Sequence, residues 1–549
     1  MCLQRSGRRS RLPARNGSPM SEFPCAVTEA NLTLTSGSGH ARAVRTKSWW
    51  VPSISDILFV VFLSILFMSG SGWSELLADG DTGWHIRTGE YILKTHTVPV
   101  WDLFSYASPG THWYAWEWLA DLVFAGLHQV AGFKGVVLFS GAVICLTMVI
   151  LFRYMIWRGA SLPIALLLTI FVADVLQFHY LARPHIFTTL FAVIALWTLD
   201  RDWSRPSRAV WMLIPLTVLW TNVHGGFLIL VIALGFFTVS ALLRHEARRF
   251  RRYAVLAVAC ATSTLVNPYG WQLQRHIWEY LRSDWLTRNI DEFQSPLLRQ
   301  GSIGQFELLL IPGLICTLEL IRRRRYHEAL LVLFWAHGAL TSARHITIYA
   351  VVAVPPVADQ LSLLWDRWTQ TSARRSVMGA LRELADDMRP AARWTSIWVP
   401  AFLVFLACGG WGVKWPADFP PRFPAELIAR NAGLLNGPGH ENARILSPDA
   451  WGGYLDYKFY PNRRVFIDGR SDYYGPTILK DYISVRSADD HWQELDARYG
   501  WQFALIPPDW PLSRALRQNP GWILRDQDKV ALLFERRPKD TLAGARAEQ

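Results

Sequence analysis

The chain has 549 residues, of which 51% are hydrophobic and 18% charged, with 28 Trp and a formal net charge of +12. That charged fraction lies well below the roughly 25% of soluble domains and points to a membrane protein. The positive charge falls in short Arg-rich clusters between apolar runs, as in loops that orient membrane helices, which argues against nucleic-acid binding.

Residues 1–50 are rich in Ser, Gly and Arg and lack apolar periodicity; they read as a disordered basic cytoplasmic tail and not as a signal peptide. The membrane domain spans 51–413. About twenty apolar residues are needed per crossing. Eleven runs qualify, at 54–72, 134–152, 161–178, 185–200, 208–222, 225–243, 252–267, 305–321, 328–342, 345–363 and 396–413. Pairs as close as 208–222 and 225–243 must be tight hairpins or re-entrant. With the tail cytoplasmic, Arg153 and Arg158, Arg201, Arg205 and Arg208, "RHEARRFRRY" (244–253), "RRRR" (322–325) and the basic stretch 364–394 all fall on one side. That is the positive-inside pattern of a multi-pass inner-membrane protein, and it puts everything beyond 414 on the extracytoplasmic side. The six cysteines (Cys2, Cys25, Cys145, Cys260, Cys316 and Cys408) form no CxxC or Cys/His spacing, so neither zinc nor a disulfide framework is expected.

The long first external loop, 73–133, opens with "DGDTGWH" (79–85). Asp79 and Asp81, set among Gly80 and Gly83, either aim two carboxylates at one point or form a solvated turn with helix caps. "WHIRTGEYIL" is amphipathic, and its Arg87 could simply pair with Asp81 or Glu90. "WYAWEWLADLVFAGL" (113–127) reads as an interfacial helix in which Glu117 is the odd residue. Farther on, Arg183, His185, Asn222, His224, Asn267, Arg344 and His345 stand at external ends of spans. Ionisable groups at membrane depth cost about 2.5–3.5 kcal/mol unless they are paired or line a polar cavity. Singly, Arg183 and Arg344 could snorkel to headgroups, His224 could serve a hairpin, and Asn267 in "NPYG" reads as a turn residue. Together on one side, they imply a shared cavity that holds an anion.

Residues 414–540 read as a small α/β domain, with strands expected at "RILS" (444–447), "RVFIDGR" (464–470), "FALIP" (503–507) and "VALLFERR" (530–537), a helix over 489–499 and a tail at 541–549. Gly452 and Gly453 sit among aromatics in "SPDAWGGYLDYKFYP". Asp468, Arg470 and Asp472 follow an apolar strand, as a site or as an Asp-Gly turn with salt bridges.

These residues resemble the GT-C membrane glycosyltransferases, a group that includes protein O-mannosyltransferases, aminoarabinose transferases and oligosaccharyltransferases. "DGDTGWH" looks like the Asp-containing motif of their first external loop. "SPDAWGGYLDY" with "VFIDGR" is similar to the "WWDYG" region of oligosaccharyltransferase catalytic subunits, but lacks one Trp and the Asp-Tyr-Gly order. The resemblance implies an α-helical polytopic membrane protein of about eleven spans with a small extracytoplasmic α/β domain. It implies a sugar donor on a polyprenyl phosphate lipid, and an acceptor that is a lipid, glycan or protein. Arg183, Arg344, His224 and His345 would bind the donor phosphate. Asp81, with Asp79, would be catalytic, Asp81 acting as the base of an inverting transfer. Glu117, His85, Arg87 and Asn222 would orient the acceptor, and Tyr454, Asp468 and Arg470 would form a site in the C-terminal domain. Asp79 and Asp81 are also the candidate ligands for Mg²⁺ or Mn²⁺. A non-catalytic scaffold or polymer-assembly subunit remains an alternative. A transporter fits less well, because the polar groups gather at one face and no repeat is visible.

Overall fold

The computed structural model describes residues 49–68, 72–297, 304–371, 376–392, 396–440 and 442–537. The tails expected at 1–50 and 541–549 lie outside these residues, except for Trp49 and Trp50.

Every one of the eleven apolar runs carries helix. The chain begins with α1 (Ile54–Met68), then α2 (Asp81–Thr95) from the first loop, then α3 (Trp118–Arg158). Within α3, Gly132 leaves helical geometry at φ 61° and ψ −155°, which divides the stretch 118–131 from the apolar stretch that follows. Four helices come next: α4 (Leu162–Val175), α5 (His185–Ser204), α6 (Leu213–Thr221) and α7 (Leu228–Leu243). They are followed by α8 (Ala247–Ser263), α9 (Trp271–Leu281), α10 (Asp284–Asn289) and α11 (Gly304–Arg322). Finally come α12 (Tyr326–Thr341), α13 (Ile346–Gln370), α14 (Val377–Met388) and α15 (Trp398–Ala407). Among the described residues, four stretches are long and apolar enough to cross a bilayer: 118–158, 225–243, 304–322 and 343–370. Four shorter apolar helices cover 54–68, 162–175, 208–221 and 398–407. The chain is a multi-pass membrane protein, and α5, α8 and α12 carry charges inside their ends.

Asp200 of α5 and Glu328 of α12 have partners. At one end of the bundle Arg158 donates to Asp200, to Glu328 at 2.8 Å and to Asp359 at 2.6 Å. Arg325 joins Glu328 at 2.5 Å and Asp359 at 3.1 Å. The network ties α3, α5, α12 and α13 together, and each buried ion meets opposite charge.

Beyond the bundle lie two short helices, α16 (Ala425–Arg430) and α17 (Ala432–Leu435), and a four-stranded sheet. The strands are β1 (Ile445–Leu446), β2 (Phe503–Ile506), β3 (Trp522–Gln527) and β4 (Leu532–Arg536), in the order β1-β2-β4-β3. β1 and β2 run parallel, and β2, β4 and β3 are antiparallel to their neighbours. All four residues of β2 are buried, as its unbroken apolar run requires of a central strand. Helices α18 (Asp449–Phe459), α19 (Ser471–Ser487), α20 (Trp492–Tyr499) and α21 (Pro511–Gln518) pack around the sheet. Segment 464–470, expected as a strand, does not enter it. Val465 pairs instead with the first loop, its N–H donating to the Phe104 carbonyl at 2.8 Å and its own carbonyl accepting from Tyr106 at 3.0 Å. Only Phe466 and Ile467 separate it from the Asp468-Gly469 turn, too few residues to extend a ladder.

The first loop and the C-terminal region meet through glycine. A Cβ on Gly83 of α2 would lie 2.2 Å from the Gly453 carbonyl oxygen, and one on Gly453 of α18 would lie 2.5 Å from that of Gly80. Only two residues without side chains let these helices touch backbone to backbone.

Candidate active site

Asp79 and Asp81 flank the start of α2. The Asp81 N–H donates to Asp79 Oδ1 at 2.9 Å, an Asx turn that holds the Asp79 carboxylate. Next to them runs the loop "LARPH". The Ala182 N–H donates to the Leu76 carbonyl at 2.7 Å, and the Thr82 hydroxyl donates to the Ala182 carbonyl at 3.0 Å. The loop is thereby pinned, and Pro184, the N-cap of α5, follows Arg183 directly. Arg183 then spans both acids, with Nη1 2.5 Å from Asp79 Oδ2 and Nη2 3.0 Å from Asp81 Oδ2. Glu292 stands 4.0 Å from the same guanidinium.

Asp81 is 5% exposed, and a Cβ on Gly469 would lie 2.2 Å from its Oδ1, so the DGR turn closes over it. Burial, the neighbouring Asp79 and then Asp468 push its pKa up to about 8, against the pull of Arg183. Burial raises Glu117 to about 8 as well, with Asp472 and Asp81 adding to it and Arg183 and Arg344 opposing. Glu117 lies between two imidazoles, 3.7 Å from His85 Nε2 and 3.5 Å from His224 Nε2. His85 Nδ1 meets Asp121 Oδ1 at 2.6 Å, both side chains being fully buried. Burial holds His85 well below the ordinary imidazole range.

One cavity of about 960 Å³ contains Asp79, Asp81, Glu117, Arg183, His224, Arg344 and His345 in its wall, and the turn residues Asp468 and Arg470 reach it from the C-terminal region. Its volume lies at the upper end of ligand sites. Apolar side chains of α7, α12 and α13, among them Ile229, Phe334 and Ile348, line another part. Arg344 packs over the Phe293 ring at 4.7 Å and has no carboxylate within 4.0 Å among the described residues. His345 Nδ1 lies 3.2 Å from the Gly338 carbonyl, an acceptor, so in a neutral ring Nε2 carries no proton.

Other expected residues stand elsewhere. Arg87 donates from Nε to the Tyr457 carbonyl at 2.8 Å and from Nη1 to Glu90 at 2.7 Å, away from the cavity. Asn222 accepts from the Trp118 indole at 2.8 Å and donates to the Val218 and Val266 carbonyls at 2.8 Å. Its three bonds hold a helix junction. Tyr454 is fully buried against Phe419 and Phe423. Asp468 and Arg470 reach the wall but are largely spent on each other, at 2.8 and 2.6 Å, and Arg470 also meets Asp102 at 2.8 Å, which clamps the first loop to the C-terminal region. Asp121 was not singled out from the sequence. It follows Glu117 by one helical turn in a mostly apolar stretch, and that buried-acid spacing was the available signal.

A divalent ion at Asp79 and Asp81 would have to displace Arg183, whose guanidinium occupies the position between their oxygens. Among the described residues the grouping with ligand spacing is Asp200, His327 and Glu328, at the other end of α5 and engaged by Arg158 and Arg325.

No family model matches the sequence, and no curated protein does. Solved structures do. The archaeal oligosaccharyltransferase AglB from Archaeoglobus fulgidus, in complex with an inhibitory peptide and a dolichol-phosphate, superposes with a TM-score of 0.57 at 11% identity, covering 82% of this chain and 69% of that one. An Archaeoglobus fulgidus oligosaccharyltransferase in the apo form gives 0.53 at 12% identity with the same coverage. At such identity the likeness concerns the fold alone: the chain is similar in architecture to these oligosaccharyltransferases.

Proposed function

We propose that the protein is a membrane glycosyltransferase that moves a sugar from a polyprenyl phosphate carrier to an acceptor on the extracytoplasmic face, with inversion. The convergence of first-loop acids and span-end cations in one cavity is the observation that carries this reading. The dolichol-phosphate in the archaeal structure of the same fold supports a lipid phosphate as the donor's leaving group. The position of the Arg clusters at the far ends of the helices supports an extracytoplasmic cavity.

In the proposed reaction a lone pair of the acceptor attacks the anomeric carbon. The bond from that carbon to the phosphate oxygen breaks, and its electron pair leaves on the phosphate. Asp81 in its ionised form takes the acceptor's proton. Arg183 is occupied by Asp79 and Asp81, so it holds the base in place, and the phosphate falls to Arg344, whose donors are free of carboxylates. His345 joins as a donor to phosphate only when charged. No step is routed through a metal, because the Arg183 guanidinium already lies against both acids.

The experiment is transfer from a labelled sugar–polyprenyl phosphate in membranes containing the wild-type protein or Asp81→Asn. Wild-type transfer that Asp81→Asn reduces about a hundredfold or more is expected; undiminished turnover removes Asp81 as the base.

A further inference from the structure

Helix α8 ends at Ser263, and its apolar run continues through Leu265 and Val266, both exposed. With Val255 and Val258, also exposed, they form the lipid-facing stripe of a membrane helix. Only residues 267–270 separate Val266 from Trp271, where α9 begins. The turn between them is tied. The Asn267 side-chain amide donates to the Thr264 carbonyl at 2.9 Å and to the Gly270 carbonyl at 3.1 Å. From the first turn of α9 the Gln274 amide donates to the Thr264 carbonyl at 2.9 Å. Helix α9 is therefore held where the apolar run stops, at the level of lipid headgroups.

The two sides of α9 differ. Leu273 and Ile277 are buried, and Ile277 and Tyr280 belong to the cavity wall. On the other side Trp271 and Trp278, about two turns apart, are 61% and 60% exposed. Arg275 and Arg282 each follow a Trp by four residues and share its stripe. Arg282 lies over the Trp278 ring at 4.9 Å, and Arg275 pairs with Glu279 at 2.8 Å. A stripe of two indoles and two guanidiniums has the composition of a headgroup contact. Indole rings favour the interfacial layer, and guanidiniums bind lipid phosphate.

We propose that α9 is a surface anchor, its Trp271–Trp278 stripe seated among phospholipid headgroups of the leaflet on the cavity side, and that this seating holds the cavity wall at a fixed height. The stripe follows directly on the lipid-facing stripe of α8, so the bilayer is its occupant. From the opposite side α9 grips the C-terminal region. His276 Nε2 meets Asp472 Oδ2 at 3.1 Å, and the Tyr280 hydroxyl lies 2.9 Å from Ser471 Oγ. Ser471 and Asp472 directly follow the DGR turn that closes over Asp81. Attachment of α9 thus sets the height of that turn above the bilayer. The seating does not rest on the transferase reading; its effect on transfer does. Trp271 and Trp278 are accordingly positioning residues.

The test uses full-length protein with Cys2→Ser, Cys25→Ser and Cys408→Ser, in vesicles of phosphatidylethanolamine and phosphatidylglycerol. A nitroxide is attached through Trp278→Cys or, as a water-facing reference on α20, through Glu494→Cys, a position that is 80% exposed. The label at 278 should be relaxed more by oxygen than by a water-soluble nickel chelate, and the label at 494 the reverse. A label at 278 that favours the nickel chelate stands in water, and one shielded from both is covered by protein. Either result overturns the seating, whether or not any transfer is observed. In transfer assays the pair Trp271→Ser and Trp278→Ser should fall about tenfold below wild type in the same vesicles. In detergent, with no leaflet to hold the helix, variant and wild type should transfer alike. Equal transfer by both proteins in vesicles, or an equal loss in both media, overturns the coupling to the site. A lipid-seated label in a protein that transfers no sugar leaves the anchor standing and removes the transferase.

Discussion

Arg183 Nη2 lies 3.0 Å from Asp81 Oδ2, so residues 102 positions apart share one ion pair in the wall of the cavity. The same guanidinium reaches Asp79 at 2.5 Å. The pairing links the loop after α1 to the start of α5, and it gives Arg183 a different task from the one its sequence context implied.

Removal of Arg183 should expose this task. In Arg183→Ala two adjacent acids lose their common counter-ion, so Asp81 binds its proton more tightly and the ascending limb of the pH–rate profile moves to higher pH. Arg183→Lys keeps the charge but not the fork and should recover only part of the rate. A pH profile indistinguishable from wild type in Arg183→Ala would show that the pair does not govern Asp81.

Arg344 predicts the opposite division. It has no carboxylate partner to leave unpaired, so Arg344→Ala should change thermal stability by less than about 1 kcal/mol. It should weaken binding of polyprenyl phosphate by about 1.5–3 kcal/mol, roughly tenfold to a hundredfold. Microscale binding in detergent with the lipid phosphate measures the second quantity, and thermal unfolding the first.

The pH dependence of stability follows from the two raised carboxyls. Asp81 and Glu117 each hold a proton up to about pH 8 in the folded protein. The unfolded chain releases those protons near pH 4 (about 3.9 for Asp and 4.3 for Glu). Between these limits the folded state binds more protons, so stability from these groups is present at the acid end and is lost as pH rises toward 8. Thermal unfolding of wild type should show that decline, and Asp81→Asn and Glu117→Gln should each flatten it. Equal slopes in all three proteins would contradict the assignment.

The glycine contact between α2 and α18 can be tested without touching the chemistry directly. Gly453→Ala places a methyl group 2.5 Å from the Gly80 carbonyl and must push the helices apart. Overpacking of this kind costs about 1–3 kcal/mol and should lower the unfolding temperature. Because Gly80 lies between Asp79 and Asp81, transfer should fall as well.

Much of this was legible in the sequence, for physical reasons. Apolar runs of membrane length are unambiguous, and each carries helix. The motifs "DGDTGWH", "LARPH", "NVHGG" and "SARH" were legible because polar groups beside apolar runs must go to one polar place, and all four contribute to the cavity wall. What single residues do inside that wall was not legible. Asn222 and His224 are two apart, yet one bonds helix ends and the other faces the cavity, a choice made by helical phase and by partners 30 to 100 residues away. Arg87 looked like a first-loop site residue, but α2 turns it toward Tyr457. The stretch 464–470 has the pattern of a strand and was captured by Phe104 and Tyr106 instead, a tertiary pairing that local pattern does not encode.

The most direct test is a structure of the full-length protein with a polyprenyl phosphate bound. The phosphate should lie within hydrogen-bond distance of the Arg344 guanidinium, in the same cavity as Asp81, with the lipid chain running along α7, α12 and α13. A phosphate seated at the opposite end of the bundle, or outside this cavity, would contradict the account.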